Sequence, residues 1–168
     1  MKLRALPVLV LLSAGLALAC GSDPLSDDTA AYVVAMQPIL EDNRELANEF
    51  LQVAARIHQR ETDDEGIIER WDADIVPLGN SLHTDADAVN PTTPELQGPH
   101  AKLVASWADR ADSYEEMRAA YKANDDGAFN VAWDKNVEAK LAEEQYFNEV
   151  NAVLGAYGYR LDQFPATN

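Results

Sequence analysis

A single cysteine, Cys20, and three histidines are all the thiol and imidazole chemistry this chain possesses. One cysteine closes no disulfide within the chain, and it leaves no Cys-x-x-Cys-His for covalent haem attachment. No glutamate stands three residues ahead of a histidine, the pairing that di-iron bundles use. No serine occupies a nucleophile-elbow context. A calcium loop opening at Asp85 fails as well. Its fifth position is Val89 where an oxygen ligand is needed, its sixth is Asn90 where glycine makes the turn, and its twelfth is Leu96 in place of glutamate. The two-residue apolar–polar rhythm of strands is nowhere found. Positive charge is scarce too: 13 Lys and Arg face 29 Asp and Glu, a formal charge of −16. Such a surface repels nucleic acid and anionic headgroups, and it favours dispersal of the folded domain.

The longest apolar run, Leu6 to Ala19, stops short of the about 17–25 residues a membrane-spanning helix requires. It follows Lys2 and Arg4 and ends on small residues, the order of an export signal. Ala17-Leu18-Ala19-Cys20 resembles the lipobox of bacterial lipoproteins. That resemblance implies cleavage before Cys20, acylation of the cysteine with palmitate-type chains, and attachment to the cell envelope. Gly21 at the next position, by the enterobacterial sorting rule, points to the outer membrane. Each buried methylene contributes about 0.8 kcal/mol, and stable anchoring takes more than one chain. Lys2 and Arg4 both belong to the leader, so the remainder sets 11 Lys and Arg against 29 acids, a formal −18. The expected organisation is therefore a signal peptide over 1–19, an acylated cysteine and flexible tether over 20–28, and one acidic domain over 29–168.

That domain reads as all-α, an antiparallel up-and-down four-helix bundle. The first helix, about Asp28 to Gln59, carries Val33, Met36, Leu40, Asn43, Ala47, Phe50, Ala54 and Ile57 at alternating spacings of three and four. Pro38 lies inside it. Thr62 and Glu65 have capping-box spacing and open a second helix, about Asp63 to Val89. Its stripe is Ile68, Trp71, Ile75, Leu78, Leu82, Asp85 and Val89, interrupted by Pro77. Thr92 and Glu95 form another capping box, for a third helix reaching Ala123. Its stripe reads Leu96, His100, Leu103, Trp107, Arg110, Tyr114, Met117 and Tyr121. Asn124 to Gly127 closes that helix and caps a fourth, about Asp126 to Leu154, with Trp133, Val137, Leu141, Phe147, Val150 and Leu154 inside.

Counting levels along these helices places Asp85 opposite His100, with Asn43 within a turn. A buried polar layer of this kind fixes register without any ligand. Two ligand readings use the same residues. Met36 and His100, near one level on diagonal helices, have the side-chain types of a b-type haem bundle. His83, Asp85, Asp87 and His100 offer imidazole and carboxylate to a divalent metal. Methionine on an apolar stripe is mostly core, and one His with one Asp a turn away is common without metal. The sequence therefore favours a non-enzymatic interaction or structural module without cofactor. It expects a lipid anchor in the membrane and an envelope protein as the kind of partner, and the haem- or metal-binding bundle is the alternative.

Overall fold

The structure, a computed structural model, describes residues 24–59 and 64–162. The lipobox with Cys20, and Thr62 of the first capping box, lie outside these residues. Everything regular among the described residues is helical: α1 (Pro24–His58), α2 (Asp64–Arg70), a π turn (Trp71–Ile75), α3 (Val76–Asp87), α4 (Pro94–Ala123) and α5 (Asp126–Gly155). Through the π turn the flanking residues Arg70 and Val76 stay in helical conformation. From α2 to α3 the chain is therefore one rod, and the fold is an all-α bundle of four.

Side-chain pairs give the directions. Asp72, Gly79 and Ala86 on the second rod meet Arg118, Tyr114 and His100 in descending order on α4, so these two are antiparallel. Lys102, Arg110 and Lys135 pair with Glu149, Glu143 and Glu116, which sets α5 antiparallel to α4. Tyr32, Asn43 and Phe50 of α1 meet Tyr146, Glu143 and Trp133 of α5, again antiparallel. α1 and α4 then run parallel across the diagonal.

α1 begins at Pro24, four residues before the expected start, so the last part of the proposed tether is already helical. Proline lacks the N–H that a first turn leaves unused, which makes it a natural opening residue. The helix continues through Pro38 without a break, with Pro38 itself on the exposed side. Pro77 has a different effect. Its ring would strike the carbonyl four residues back, and the chain ahead of it widens so that Val76 N–H reaches Trp71 O, a five-residue step. One extra residue is thereby wound into the turn. Trp71, Ile75 and Leu82 face inward as the stripe expects, whereas Gly79 and Ala86 take the inward places expected for Leu78 and Asp85.

The N-cap of α4 is Thr93, not Thr92, followed by Pro94 at the first helical position. Asn124 ends α4 in the left-handed region at φ 53°, and Asp125 caps α5 by accepting from Ala128 N–H at 2.9 Å. Past α5 the chain turns back. Asn151 clasps Leu161 through both amide atoms at 2.8 Å, and Leu161 is buried.

The inward face of α5 differs from the expected stripe. Ala132, Asn136, Ala139, Glu143, Tyr146, Val150 and Leu154 are buried, whereas Val137 and Leu141 stand in solvent. Small residues explain it. Ala132 and Ala139 let the backbones of α4 and α5 come close enough for Ser106 Oγ to donate to Ala139 O at 2.7 Å. Close approach uses the small side chains and turns the large ones aside.

Candidate functional site

Three of the sequence-predicted residues do converge. His83 and Asp87, one turn apart on α3, line a cleft of about 520 Å³ together with His100 of α4 and the connecting residues Asn90 and Pro91. Asp85 is not among them. It is exposed and accepts from Ser81 Oγ at 3.1 Å, because the π turn carries Ala86 into the inward position instead. The expected face-to-face Asp85–His100 pair does not form. Among the described residues no group of three His, Cys, Asp or Glu is arranged to hold a metal ion.

His100 is 5% exposed and bonded at both ring nitrogens. Nε2 meets the Ala86 carbonyl at 3.0 Å, and Nδ1 meets the Tyr32 hydroxyl at 3.0 Å. A carbonyl only accepts, so Nε2 carries the hydrogen and the neutral ring accepts at Nδ1. Tyr32 O–H therefore donates to His100, and Tyr146 O–H donates to Tyr32 at 2.8 Å. The chain of donors has one direction: Tyr146, Tyr32, His100, Ala86. Burial lowers the His100 pKa, against the pull of the Ala86 and Val89 carbonyls and the Asp87 carboxylate. Burial also pushes Tyr32 up to about 12, with the Tyr146 hydrogen bond acting in the other direction. Tyr146 is raised as well, by burial first and then by Tyr32. All three groups are held neutral near pH 7. Met36 lies one turn beyond Tyr32, completely buried in the apolar core. For His100 to ligate a haem, either Tyr32 or Ala86 would have to give up its bond.

A second buried layer lies farther along the bundle. Arg110 Nη1 donates to Glu143 Oε2 at 2.5 Å and to Asn43 Oδ1 at 2.9 Å, and Nη2 donates to Tyr114 Oη at 3.0 Å. Asn43 Nδ2 closes the ring on Glu143 Oε1 at 2.8 Å. The Arg110 and Glu143 side chains are 5% and 1% exposed. Burial works against the Arg110 charge, but Tyr114 and Glu143 outweigh it and hold its pKa above the ordinary value. Removing one member of such a pair strands the other and costs about 3–5 kcal/mol. Asn43 and Arg110 sit on the stripes read from sequence. Glu143, Tyr32 and Tyr146 do not.

Over this layer opens a groove of about 540 Å³ along the seam between α1 and α5. Those two helices approach mainly through long side chains, Tyr32 to Tyr146, Asn43 to Glu143 and Phe50 to Trp133, rather than by close backbones. The walls are Phe50 and Leu51 on α1, with Trp133, Val137 and Leu141 on α5. Leu51 is 64% exposed and Leu141 53%, and Leu141 with Val137, turned out of the α4–α5 contact, flanks the opening. Arg110, Tyr114 and Asn136 form the floor, and Lys140 and Glu144 stand at the edge. Exposed Val137 and Leu141, read from sequence as core, were the available signal for this groove.

Among the described residues no helix is long and apolar enough to cross a membrane. Comparison of the chain with protein-family models, with curated proteins and with solved structures finds no match.

Proposed function

We propose that the chain is a lipid-anchored, non-enzymatic module of the bacterial cell envelope that works by holding a partner in the seam between α1 and α5. The groove carries this reading: an apolar opening of binding-site size, set over a polar floor, on an otherwise acidic surface. The buried titratable groups support a structural rather than catalytic part for the interior. Arg110 is tied to Glu143, and His100 to the two tyrosines. For the anchor, the support is the Ala17-Leu18-Ala19-Cys20 sequence.

Cells fed labelled palmitate should incorporate it into the natural chain and not into Cys20→Ser, and only the former should partition into a detergent phase. Detergent partitioning by the serine variant would sink the lipid-anchor reading.

A further inference from the structure

The floor of the α1/α5 groove has hydrogen-bonding capacity left over. Ser113 Oγ gives its only hydrogen to the Arg110 carbonyl at 2.7 Å, so toward Asn136 it can only accept. Asn136 Nδ2 lies 3.0 Å from that oxygen, which fixes the amide with Oδ1 facing away. The Asn136 residue is 7% exposed, yet Oδ1 has no partner among the described residues and is not among the sealed-off polar atoms. It therefore opens onto the groove that Asn136 lines. Tyr114, on the same floor, accepts from Arg110, and its own O–H hydrogen meets no acceptor among the described residues. One acceptor and one donor thus wait beneath apolar walls.

A hydroxyl group has the chemistry for both, a hydrogen for Asn136 Oδ1 and a lone pair for the Tyr114 O–H. Neither sign of charge is selected, because Arg110 is already neutralised by buried Glu143 beneath the floor, and Lys140 and Glu144 stand together at the edge. The walls choose the body of the ligand. Phe50 and Trp133 are 5.4 Å apart between ring centroids at 33°, and Phe50 and Tyr114 are 5.2 Å apart at 52°. These rings pack on one another, and an aromatic ligand set edge-on or offset against their groove side would extend the cluster. We infer that this groove binds an uncharged aromatic alcohol of the phenol type, with its hydroxyl between Asn136 and Tyr114. The inference rests on the binding-module reading and names what that module holds.

The full chain in zwitterionic lipid nanodiscs, with empty nanodiscs as blank, is titrated calorimetrically with 4-phenylphenol, biphenyl, biphenyl-4-carboxylate and 1-decanol. One 4-phenylphenol should bind per chain, with biphenyl weaker by roughly threefold to tenfold, the worth of a net hydrogen bond. Leu141→Glu changes an exposed wall position and should abolish binding while leaving the thermal midpoint in place. Asn136→Leu should erase the preference for 4-phenylphenol over biphenyl without weakening biphenyl, a split that general damage to the fold would not produce. Equal binding of the two biphenyls, tighter binding of the carboxylate or of decanol, or indifference to Leu141→Glu would each overturn the inference. Palmitate on Cys20 is measured in the same preparation. An acylated chain that ignores 4-phenylphenol loses the phenol site alone, and a binding chain without palmitate loses the anchor alone.

Discussion

His100 is held by both nitrogens, and that decides what acid does to it. The neutral ring accepts from Tyr32 of α1, which accepts from Tyr146 of α5, while Asp87 of α3 is the nearby carboxylate. Protonation puts a hydrogen on Nδ1, so Tyr32 must turn from donor to acceptor there and give its own hydrogen to Tyr146. Burial already holds the folded pKa below the 6.5 of a free imidazole. The unfolded chain then binds more protons than the folded one between the two values, so stability rises with pH in that window. It is complete above about pH 6.5 and is lost as pH falls toward the folded pKa. Urea unfolding at about pH 7.5 and about pH 5.5 should show the loss in the natural chain and a clearly smaller one in His100→Gln. Equal losses would assign the effect to other groups. Of this layer the sequence discloses only His100. A tyrosine one turn before Met36 competes with Val33 for the inward place, and nothing local ranks them. Glu143 reads as surface by composition, and only its partner Arg110, 33 residues away, makes it an interior residue.

At the scale of the helix, the elements themselves were legible and their phases were not always. Apolar spacing and the Asn124–Gly127 cluster locate α4 and α5 almost to the residue, because each helix buries a continuous face and its caps are local chemistry. The π turn ahead of Pro77 shifts the inward places beyond it, so that Gly79 and Ala86 face the core where the hydropathy count has Leu78 and Asp85, and Asp85 is left outward. α5 misled for another reason: a face of Ala132, Asn136 and Ala139 is inward because it is small, and a hydropathy count does not weigh closeness of approach. The caps allow a direct test. Thr93 precedes α4 with its Oγ1 buried and unpartnered among the described residues, whereas Asp125 bonds Ala128 N–H. Thr93→Val keeps the shape and removes an unsatisfied hydroxyl, so it should stabilise by about 1 kcal/mol. Asp125→Ala gives up a formed cap and should cost about 1 kcal/mol. Urea midpoints measure both, and a destabilised Thr93→Val would mean that the hydroxyl does cap α4 in solution.

On the scale of the whole molecule the dominant fact is unbalanced charge, 29 acids against 13 Lys and Arg. The exposed ion pairs, such as Lys102–Glu149 and Arg160–Asp162, contribute about 0–1 kcal/mol each and weaken as salt is added. The buried Arg110–Glu143 pair is shielded from salt by the protein around it. What salt changes most is the repulsion among the many unpaired carboxylates. At about 0.01 M the screening length is about 30 Å, so carboxylates across the bundle feel one another, and at about 0.15 M it is about 8 Å. Relief of repulsion should outweigh the loss of surface pairs, and the thermal midpoint in zwitterionic nanodiscs should rise with NaCl. A chain of this size gains about 2–4 °C for each kcal/mol relieved. A flat or falling midpoint would mean that the surface pairs matter more than their exposure implies. The same melts separate screening from site binding: MgCl₂ at equal ionic strength should give the same midpoint as NaCl. A clear excess with Mg²⁺ that is lost in Asp87→Asn would instead place a divalent cation in the cleft that His83, Asp87 and His100 line.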